Sequence, residues 1–332
     1  MTSALAGPVF LAGTAVSLVT SLVLVARLER VGERLGFSEA VLGIVAALAA
    51  DAPEITAAVT AVAQHQQRVG AGVVLGSNVF NLAALLGLGA VVAGRIGLHR
   101  KVVLLGGAVA LWVAVVGWLV VAGGLPAAAG LILAFVVLAA YVAVLGREGR
   151  GLERLMPARL AGWLRSAISE EELELEDAIR PAPGGWRDAA VACVALAVVV
   201  AASIAMERAA VRLGTAWSVP QIVTGGLVLA AVTSLPNAVA AVYLAGRGRG
   251  AATLSTALNS NTINVVAGLL LPAAILGLGP PASQTLLITA WYVLLTLAVL
   301  ALAYWRRGIG RTSGSLIIAA YAAFVLTVLM TG

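Results

Sequence analysis

Two carboxylates and a proline lie within four residues of an apolar segment, in the stretch AADAPEI at 49–55. Asp51 and Glu54 are three positions apart, so in a helix both side chains lie on one face. A carboxylate at the centre of a membrane span costs at least ~2.5 kcal/mol and therefore normally faces a partner or water. The surrounding stretch 38–62 has no basic residue, which predicts a cation or a proton as the partner. The alternative is a buried structural pair that is hydrogen-bonded to asparagines.

The proline between the carboxylates predicts a break in the helix. Pro53 has no amide hydrogen and its ring clashes with the preceding turn, so it should release the carbonyl of Ala49 and loosen that of Ala50. A free carbonyl in hydrocarbon persists only where another group satisfies it. A cation is one such group, and a hydroxyl or a water in the kink is the alternative. Pro236 should loosen the carbonyl of Thr233 in the same way, and this recurrence favours a site.

The composition indicates the element that must carry these residues. Of the 332 residues, 61% are hydrophobic and 11% are charged, and the mean hydropathy is +1.04. No soluble domain buries that much apolar surface, so the chain is predicted to be an all-α polytopic membrane protein. A bilayer span needs roughly 20 mostly apolar residues. Ten stretches meet this requirement: 8–26, 38–62, 70–93, 102–121, 125–145, 188–208, 219–245, 251–276, 284–303 and 314–331.

The basic residues predict the orientation. Of the 21 Lys and Arg residues, 18 lie in the connections that follow odd-numbered spans, and the other side carries only Arg68, Arg208 and Arg212. Positive residues mark the cytoplasmic side, so both termini should face outward and segment 146–187 should be cytoplasmic. The net charge of +6 then reflects membrane topology and not nucleic-acid binding. Glu207 lies near the end of its span and is expected at the membrane–water interface. The protein itself is expected to be integral to a prokaryotic-type cell membrane.

The long polar segment 146–187 divides into two parts. Its first part interleaves leucines, a tryptophan and arginines, which predicts a basic amphipathic helix on the inner leaflet with a break at Pro157. Its second part, around 169–177, is acidic. That part is interpreted as a solvated hinge, with a regulatory cation site as the alternative.

The sequence repeats itself with an offset of 183 residues. Because each half has an odd number of predicted spans, five, the second half would enter the membrane in the opposite direction. This gives two inverted five-helix repeats, an architecture of secondary transporters with sites near the midplane. The predicted units are repeat one at 1–145, the loop at 146–187 and repeat two at 188–332. The polar matches are Asp51 with Ser234, Pro53 with Pro236, Glu54 with Asn237, Ser77 with Ser260, Asn78 with Asn261, and Asn81 with Asn264.

A serine and an asparagine share one helix face in each half. Ser77 and Asn81 are four apart, as are Ser260 and Asn264. Their hydroxyl and amide oxygens are neutral, hard ligands that suit Na⁺ or Ca²⁺. Such groups also hold membrane helices together, and the same residues can serve both roles.

These motifs resemble the calcium/cation antiporter superfamily, whose members include sodium/calcium exchangers. The family pattern is Gly-Thr-Ser-x-Pro-Glu in one helix and Gly-Ser-Asn-x-x-Asn in the next, repeated in two inverted halves. This chain reads AADAPE and GSNVFN in the first half, and VTSLPN and NSNTIN in the second. The resemblance implies that helices 2, 3, 7 and 8 line an ion site and that Glu54 binds Ca²⁺. It also implies ion-coordinating or near-site positions for Ser77, Asn81, Thr233, Ser234, Ser260 and Asn264.

Two positions depart from the family pattern. Asn237 stands where the family has its second glutamate, and Asp51 stands where the first repeat has serine or asparagine. The two carboxylates still supply two negative charges, enough to balance one Ca²⁺. Because adjacent carboxylates repel, one of them can hold a proton, which makes proton coupling a serious alternative.

The predicted function is secondary antiport of Ca²⁺ for Na⁺ or H⁺ by alternating access, without a cofactor and without enzymatic activity. The alternatives are a Na⁺/H⁺ antiporter on the same fold, a channel, and an intramembrane enzyme using Asp51 and Glu54 on a metal. An enzyme is disfavoured because there is no HExxH motif and both His65 and His99 lie outside the spans. The expected partners are inorganic cations and the lipid bilayer. The predicted cation-site residues are Ala50, Asp51, Glu54, Ser77, Asn81, Thr233, Ser234, Asn237, Ser260 and Asn264.

Overall fold

The structure is a computed structural model that describes residues 3–37, 39–146, 157–176, 182–246 and 250–331. These residues are almost entirely helical, as the composition predicts. Helices α4, α9 and α11 each contain a π-helical stretch, at Leu82–Leu88, Thr224–Leu229 and Asn264–Leu270. The helices are α1 Ser3–Arg34, α2 Glu39–Ala50, α3 Ala52–Ala63, α4 Gln67–Ala93, α5 Arg100–Val121, α6 Ala127–Gly146, α7 Ala158–Glu176, α8 Trp186–Ala216, α9 Gln221–Thr233, α10 Leu235–Gly246, α11 250–276, α12 Ser283–Arg306 and α13 Arg311–Thr331.

Length and apolarity identify the helices that can cross a membrane. Eight of the described helices qualify, and the bent pair α2–α3 makes a ninth if it counts as one span. The predicted number of ten is not reproduced by this count. The difference arises at the predicted span 219–245, which is divided between the short apolar helix α9 and helix α10. The chain is thus an all-helical membrane protein with two interrupted segments.

Both interruptions lie two residues before a proline. Helices α2 and α3 meet at Asp51 with a bend of 50°. Asp51 has φ −82° and ψ −4°, and Ser234, between α9 and α10, has φ −84° and ψ 0°. Pro53 and Pro236 remove one backbone donor each, which explains why the helices break there. Two positions that match at the sequence offset therefore share one backbone conformation.

Helices α4 and α11 form the centre of the molecule. In their apolar windows 94% and 78% of the residues are buried, against 22% in each of α1, α6 and α13. The outer helices therefore present apolar faces outward, as lipid contact requires. Helix α4 crosses α9 so closely that only glycine fits: a Cβ at Gly76 would lie 2.1 Å from the carbonyl oxygen of Gly226. Small residues permit this backbone contact in membranes.

Helices α1 and α8 form a long antiparallel pair. Near its middle, the hydroxyl oxygens of Ser17 and Ser203 are hydrogen-bonded at 3.0 Å. At one end, Asp188 accepts from Arg27 at 2.8 Å and lies 3.3 Å from Arg30. The ion pairs tie the C-terminal part of α1 to the first turn of α8.

The described portion of the predicted amphipathic helix is helical as α7, which begins directly after Pro157 and continues through the acidic residues to Glu176, where the sequence interpretation placed a hinge. It packs on α2, α5 and α11, with Ala161, Ala167 and Ile168 buried. Residues 147–156 and 177–181 of the predicted loop lie outside the described residues. An additional feature is a two-stranded antiparallel ribbon, β1 Arg95–Gly97 with β2 Gly308–Gly310, which joins the connections after α4 and α12.

Candidate cation site

The two helix breaks place the predicted site residues in the centre of the protein. Asp51 is at the first break and Glu54 is in the first turn of α3, while Ser234 is at the second break and Asn237 follows in α10. The other predicted polar residues come from α4 and α11. All of these side chains are buried, at 0–2% exposure: Asp51, Glu54, Ser77, Asn81, Thr233, Ser234, Asn237, Ser260 and Asn264. Ala50, predicted through its loosened carbonyl, is only half-buried.

The second half of the chain donates hydrogen bonds to both carboxylates of the first half. The Asp51 Oδ1 atom accepts from Asn237 Nδ2 at 2.7 Å and from Ser260 Oγ at 2.6 Å. The Glu54 Oε1 atom accepts from Ser234 Oγ at 3.0 Å. Charge-assisted bonds of this length are strong and directional. The polar residues of the second half therefore contact the acids of the first half in a crossed pattern, because Asp51 accepts from Asn237, the counterpart of Glu54, and Glu54 accepts from Ser234, the counterpart of Asp51.

A network of amides extends from Asp51 across α4 and α11. Asn81 Nδ2 donates to Ser260 Oγ and to Asn261 Oδ1, both at 3.1 Å. Asn78 Nδ2 donates to the backbone carbonyl of Asn261, and Asn261 Nδ2 donates to that of Asn78, each at 3.1 Å. Asn264 Nδ2 reaches Asn78 Oδ1 at 3.3 Å. This network holds α4 and α11 in a fixed register.

Asn78 and Asn261 belong to this network although they are not among the predicted site residues. The signal was present, because each lies three residues before a predicted site asparagine and so shares its helix face. Conversely, two predicted hydroxyls donate within their own helices. Ser77 Oγ donates to the Val74 carbonyl at 2.9 Å, and Thr233 Oγ1 donates to the Leu229 carbonyl at 2.9 Å.

Five buried side-chain oxygens at the network receive no hydrogen bond. They are Asp51 Oδ2, Glu54 Oε2, Asn81 Oδ1, Asn237 Oδ1 and Asn264 Oδ1. Buried polar atoms are normally paired, so such a group calls for an explanation. All five are acceptors, and the partner that they lack is therefore a donor or a cation. Hydrogen bonds to asparagine and serine satisfy one oxygen of each carboxylate and leave the other without a partner.

The chemistry of these oxygens fits a hard cation. The described residues contain no group of three or more His, Cys, Asp or Glu side chains that could hold a metal ion. The available ligands are two carboxylates with neutral amides and hydroxyls, which suit Na⁺ or Ca²⁺ and not soft metals. No Lys, Arg or His of the described chain forms an ion pair with Asp51 or Glu54. The site therefore carries at most two negative charges without a cationic side chain.

Comparisons with known proteins identify the family and the fold. The profile of the family described as "Sodium/calcium exchanger protein" matches residues 6–147 and 188–330. No curated protein matches the sequence. The crystal structure of an H⁺/Ca²⁺ exchanger, CAX, is 13% identical with a TM-score of 0.75, over 97% of this chain and 82% of that chain. A structure of the sodium-calcium exchanger NCX_Mj is 21% identical with a TM-score of 0.58, over 98% of this chain and 99% of that chain.

Proposed function

Since the chain belongs to the sodium/calcium exchanger family, we propose that it exchanges Ca²⁺ for Na⁺ or H⁺ across the membrane as a secondary antiporter. The family and the structural neighbours are exchangers and not enzymes. The five unpaired acceptor oxygens beside two buried carboxylates carry the proposal. In a protein interior, two carboxylates without a basic partner require a cation or protons.

The proposed ligands are the oxygens that the network leaves free. Asp51 and Glu54 supply the charge, while Asn81, Asn237 and Asn264 supply neutral amide oxygens. Ser234 and Ser260 now donate to the carboxylates, and rotation of their hydroxyls would turn an oxygen lone pair to an arriving cation. Ser77, Thr233 and the backbone of Ala50 remain peripheral candidates.

The position of the charge supports a role for protons. Both carboxylates come from the first half of the chain. Position 237, which matches Glu54 in the second half, carries an amide that donates to Asp51. Since the two acids lie three residues apart on α3 and its boundary, their repulsion favours a proton on one of them when no cation is bound. Exchange of two protons for one Ca²⁺ would leave the charge of the site balanced.

The architecture that would carry this exchange is ten spans in two inverted repeats, with α2–α3 and α9–α10 as interrupted spans. The near-identical backbone angles at Asp51 and Ser234 support this proposal, as do the reciprocal bonds between Asn78 and Asn261, residues 183 apart. The proposed units are 1–145, 146–187 and 188–332. The proposed orientation places both termini outside and the 146–187 segment in the cytoplasm.

Ion uptake into proteoliposomes tests the function directly. Purified protein is reconstituted, and uptake of Ca²⁺ is measured under an imposed Na⁺ gradient, an imposed H⁺ gradient, or neither. Uptake should require one of the two gradients and should stop in the Asp51→Asn/Glu54→Gln variant. Flux that continues without a counter-ion would indicate a channel, and normal exchange in the double variant would eliminate the site.

A further inference from the structure

A third buried carboxylate lies outside the network, near the end of α8. Glu207 is 0% exposed, and the sequence predicted a position near the membrane interface but not this burial. Its Oε2 atom accepts a hydrogen bond from Gln64 Nε2 at 3.4 Å, and its Oε1 atom has no partner. A bond of this length is weak. No described basic residue forms an ion pair with it, and its compensation is limited to this weak bond and the charge of the neighbouring Arg208.

Its position relates it to the central site. Gln64 directly follows the last residue of α3, the helix that begins beside Asp51 and carries Glu54. Ten residues separate Glu54 from Gln64, which corresponds to about 15 Å along the helix. Glu207 also lies in the C-terminal half of α8, whereas Asp188 lies in its first turn. It therefore lies on one side of the central site, towards the membrane face that carries the 64–66 turn.

The surroundings of Glu207 contain little other charge. Helices α1, α3 and α9 pack against α8. Up to Arg27, α1 has no charged residue, α9 has none, and α3 has none after Glu54. The ionisable groups nearby in the sequence are His65 in the turn, Arg68 after the turn and Arg208 beside Glu207. All three are exposed. Gln64, which bonds to the carboxylate, is exposed as well, so Glu207 is linked to the protein surface through one side chain.

We propose that Glu207 and Gln64 form a second cation-binding site, at which the transported hard cation is held between solution and the central site. The inference rests on the proposed function. The ligands are the unpaired Oε1 atom of Glu207 and the amide oxygen of Gln64, which can turn towards the carboxylate when the weak Nε2 hydrogen bond opens. A carboxylate with one neutral oxygen binds hard cations loosely, which suits a transit position.

The first experiment tests binding without transport. The Asp51→Asn/Glu54→Gln variant, in which the central carboxylates are removed, is treated with dicyclohexylcarbodiimide, and labelling of Glu207 is followed by mass spectrometry. The reagent reacts with protonated carboxyl groups, so a cation bound to the Glu207 carboxylate should slow its labelling. Ca²⁺ or Na⁺ should slow labelling several-fold relative to N-methylglucamine. Equal labelling in all three salts would overturn the proposal, whatever the transport activity of the parent.

The second experiment measures sided kinetics in oriented proteoliposomes. Glu207→Gln keeps the shape and the hydrogen-bonding capacity of the side chain but removes its charge. Loss of one charge-assisted contact should raise KM for Ca²⁺ about tenfold on the face of the 64–66 turn. KM on the other face and kcat should stay near the parent values, and Glu207→Asp should recover part of the loss.

A matched control removes an acid at the opposite end of the molecule. Glu33 lies in the last turns of α1, beyond Arg27 and Arg30, and Glu33→Gln should leave KM on the turn face unchanged. Equal effects of Glu207→Gln on both faces would contradict a transit site and indicate a purely structural role. Absence of exchange in the parent would instead refute the proposed function, and the labelling result would still decide this inference.

Discussion

The direction of the hydrogen bond between Asn237 and Asp51, from amide donor to carboxylate acceptor, leads to the most specific prediction about the central site. Asn237 Nδ2 donates to Asp51 Oδ1 at 2.7 Å. In Asn237→Asp an oxygen of nearly the same size replaces the donor, so a hydrogen bond becomes a contact between two acceptors. The variant adds a third carboxylate to a site that has no basic side chain.

The size of the effect follows from the distance. Two unit charges at 2.7 Å repel by about 6 kcal/mol at an effective dielectric constant of 20. A tenfold change corresponds to about 1.4 kcal/mol, so this repulsion amounts to about 10⁴-fold in proton affinity before the site relaxes. Asn237→Asp should therefore hold an additional proton at neutral pH. Because this proton competes with the cation, the pH dependence of exchange should move towards higher pH.

A second variant restores the bond with its direction reversed. In Asp51→Asn/Asn237→Asp, the amide introduced at position 51 donates to the carboxylate introduced at position 237, and the total charge equals that of the parent. Exchange and its pH dependence should return close to the parent behaviour. Asp51→Ser/Asn237→Glu, which restores the family arrangement, should also retain exchange. Asp51→Asn alone lacks one charge and should remain impaired.

The assay is the initial rate of Ca²⁺ uptake into proteoliposomes over a series of pH values, with gel filtration as the control for folding. A parent-like pH profile in Asn237→Asp would show that position 237 does not act on the site. A folded double variant without exchange would show that the two positions are not interchangeable. Either result would refute the proposed contact between the two halves at the ion.

Three further predictions address the acid, the packing and the topology. Glu54→Gln should abolish exchange, because it removes a charge from the site; uptake assays with normal yield of folded protein decide this. Gly76→Ala should lower the melting temperature in detergent, since overpacking costs about 1–3 kcal/mol, whereas Gly43→Ala, with nothing within 4 Å of its added Cβ, should not. A tag in 146–187 should be protected from impermeant reagents in intact cells while tags at both termini react; a protected C-terminus would contradict the orientation.

The polar residues of the site were predictable from the sequence because their types are rare in such apolar surroundings. The repeat, the residue types and the family resemblance together predicted Asp51, Asn237 and Ser260 as site residues, and hydrogen bonds join their side chains. The helix breaks were predictable for a local reason, the missing proline amide. The direction of each hydrogen bond was not predictable, because it depends on which of several amides and hydroxyls come within reach after packing.

Features that depend on contacts between residues distant in the sequence were not predictable from the sequence. Burial of Glu207 results from packing of α8 against α3, and its place near a span end gave no sign of it. The ribbon of β1 and β2 pairs strands of three residues each, from opposite halves of the chain, and strands that short carry no periodic signal. The division of the predicted span 219–245 reflects a π-helical stretch and a break within one continuous apolar run.

The reciprocal bonds between Asn78 and Asn261 have a consequence for the ancestry of the chain. Each amide binds the backbone carbonyl of the other residue at 3.1 Å, which is the pattern of a self-complementary contact about a two-fold axis. A single asparagine per half is enough to make both bonds. If the two halves are the inverted repeats proposed above, a half-length polypeptide inserted in both membrane orientations would already possess this central contact with its own copy. Duplication and fusion would preserve the contact and free the two copies to diverge around it, one towards the acids at 51 and 54 and the other towards the amide at 237.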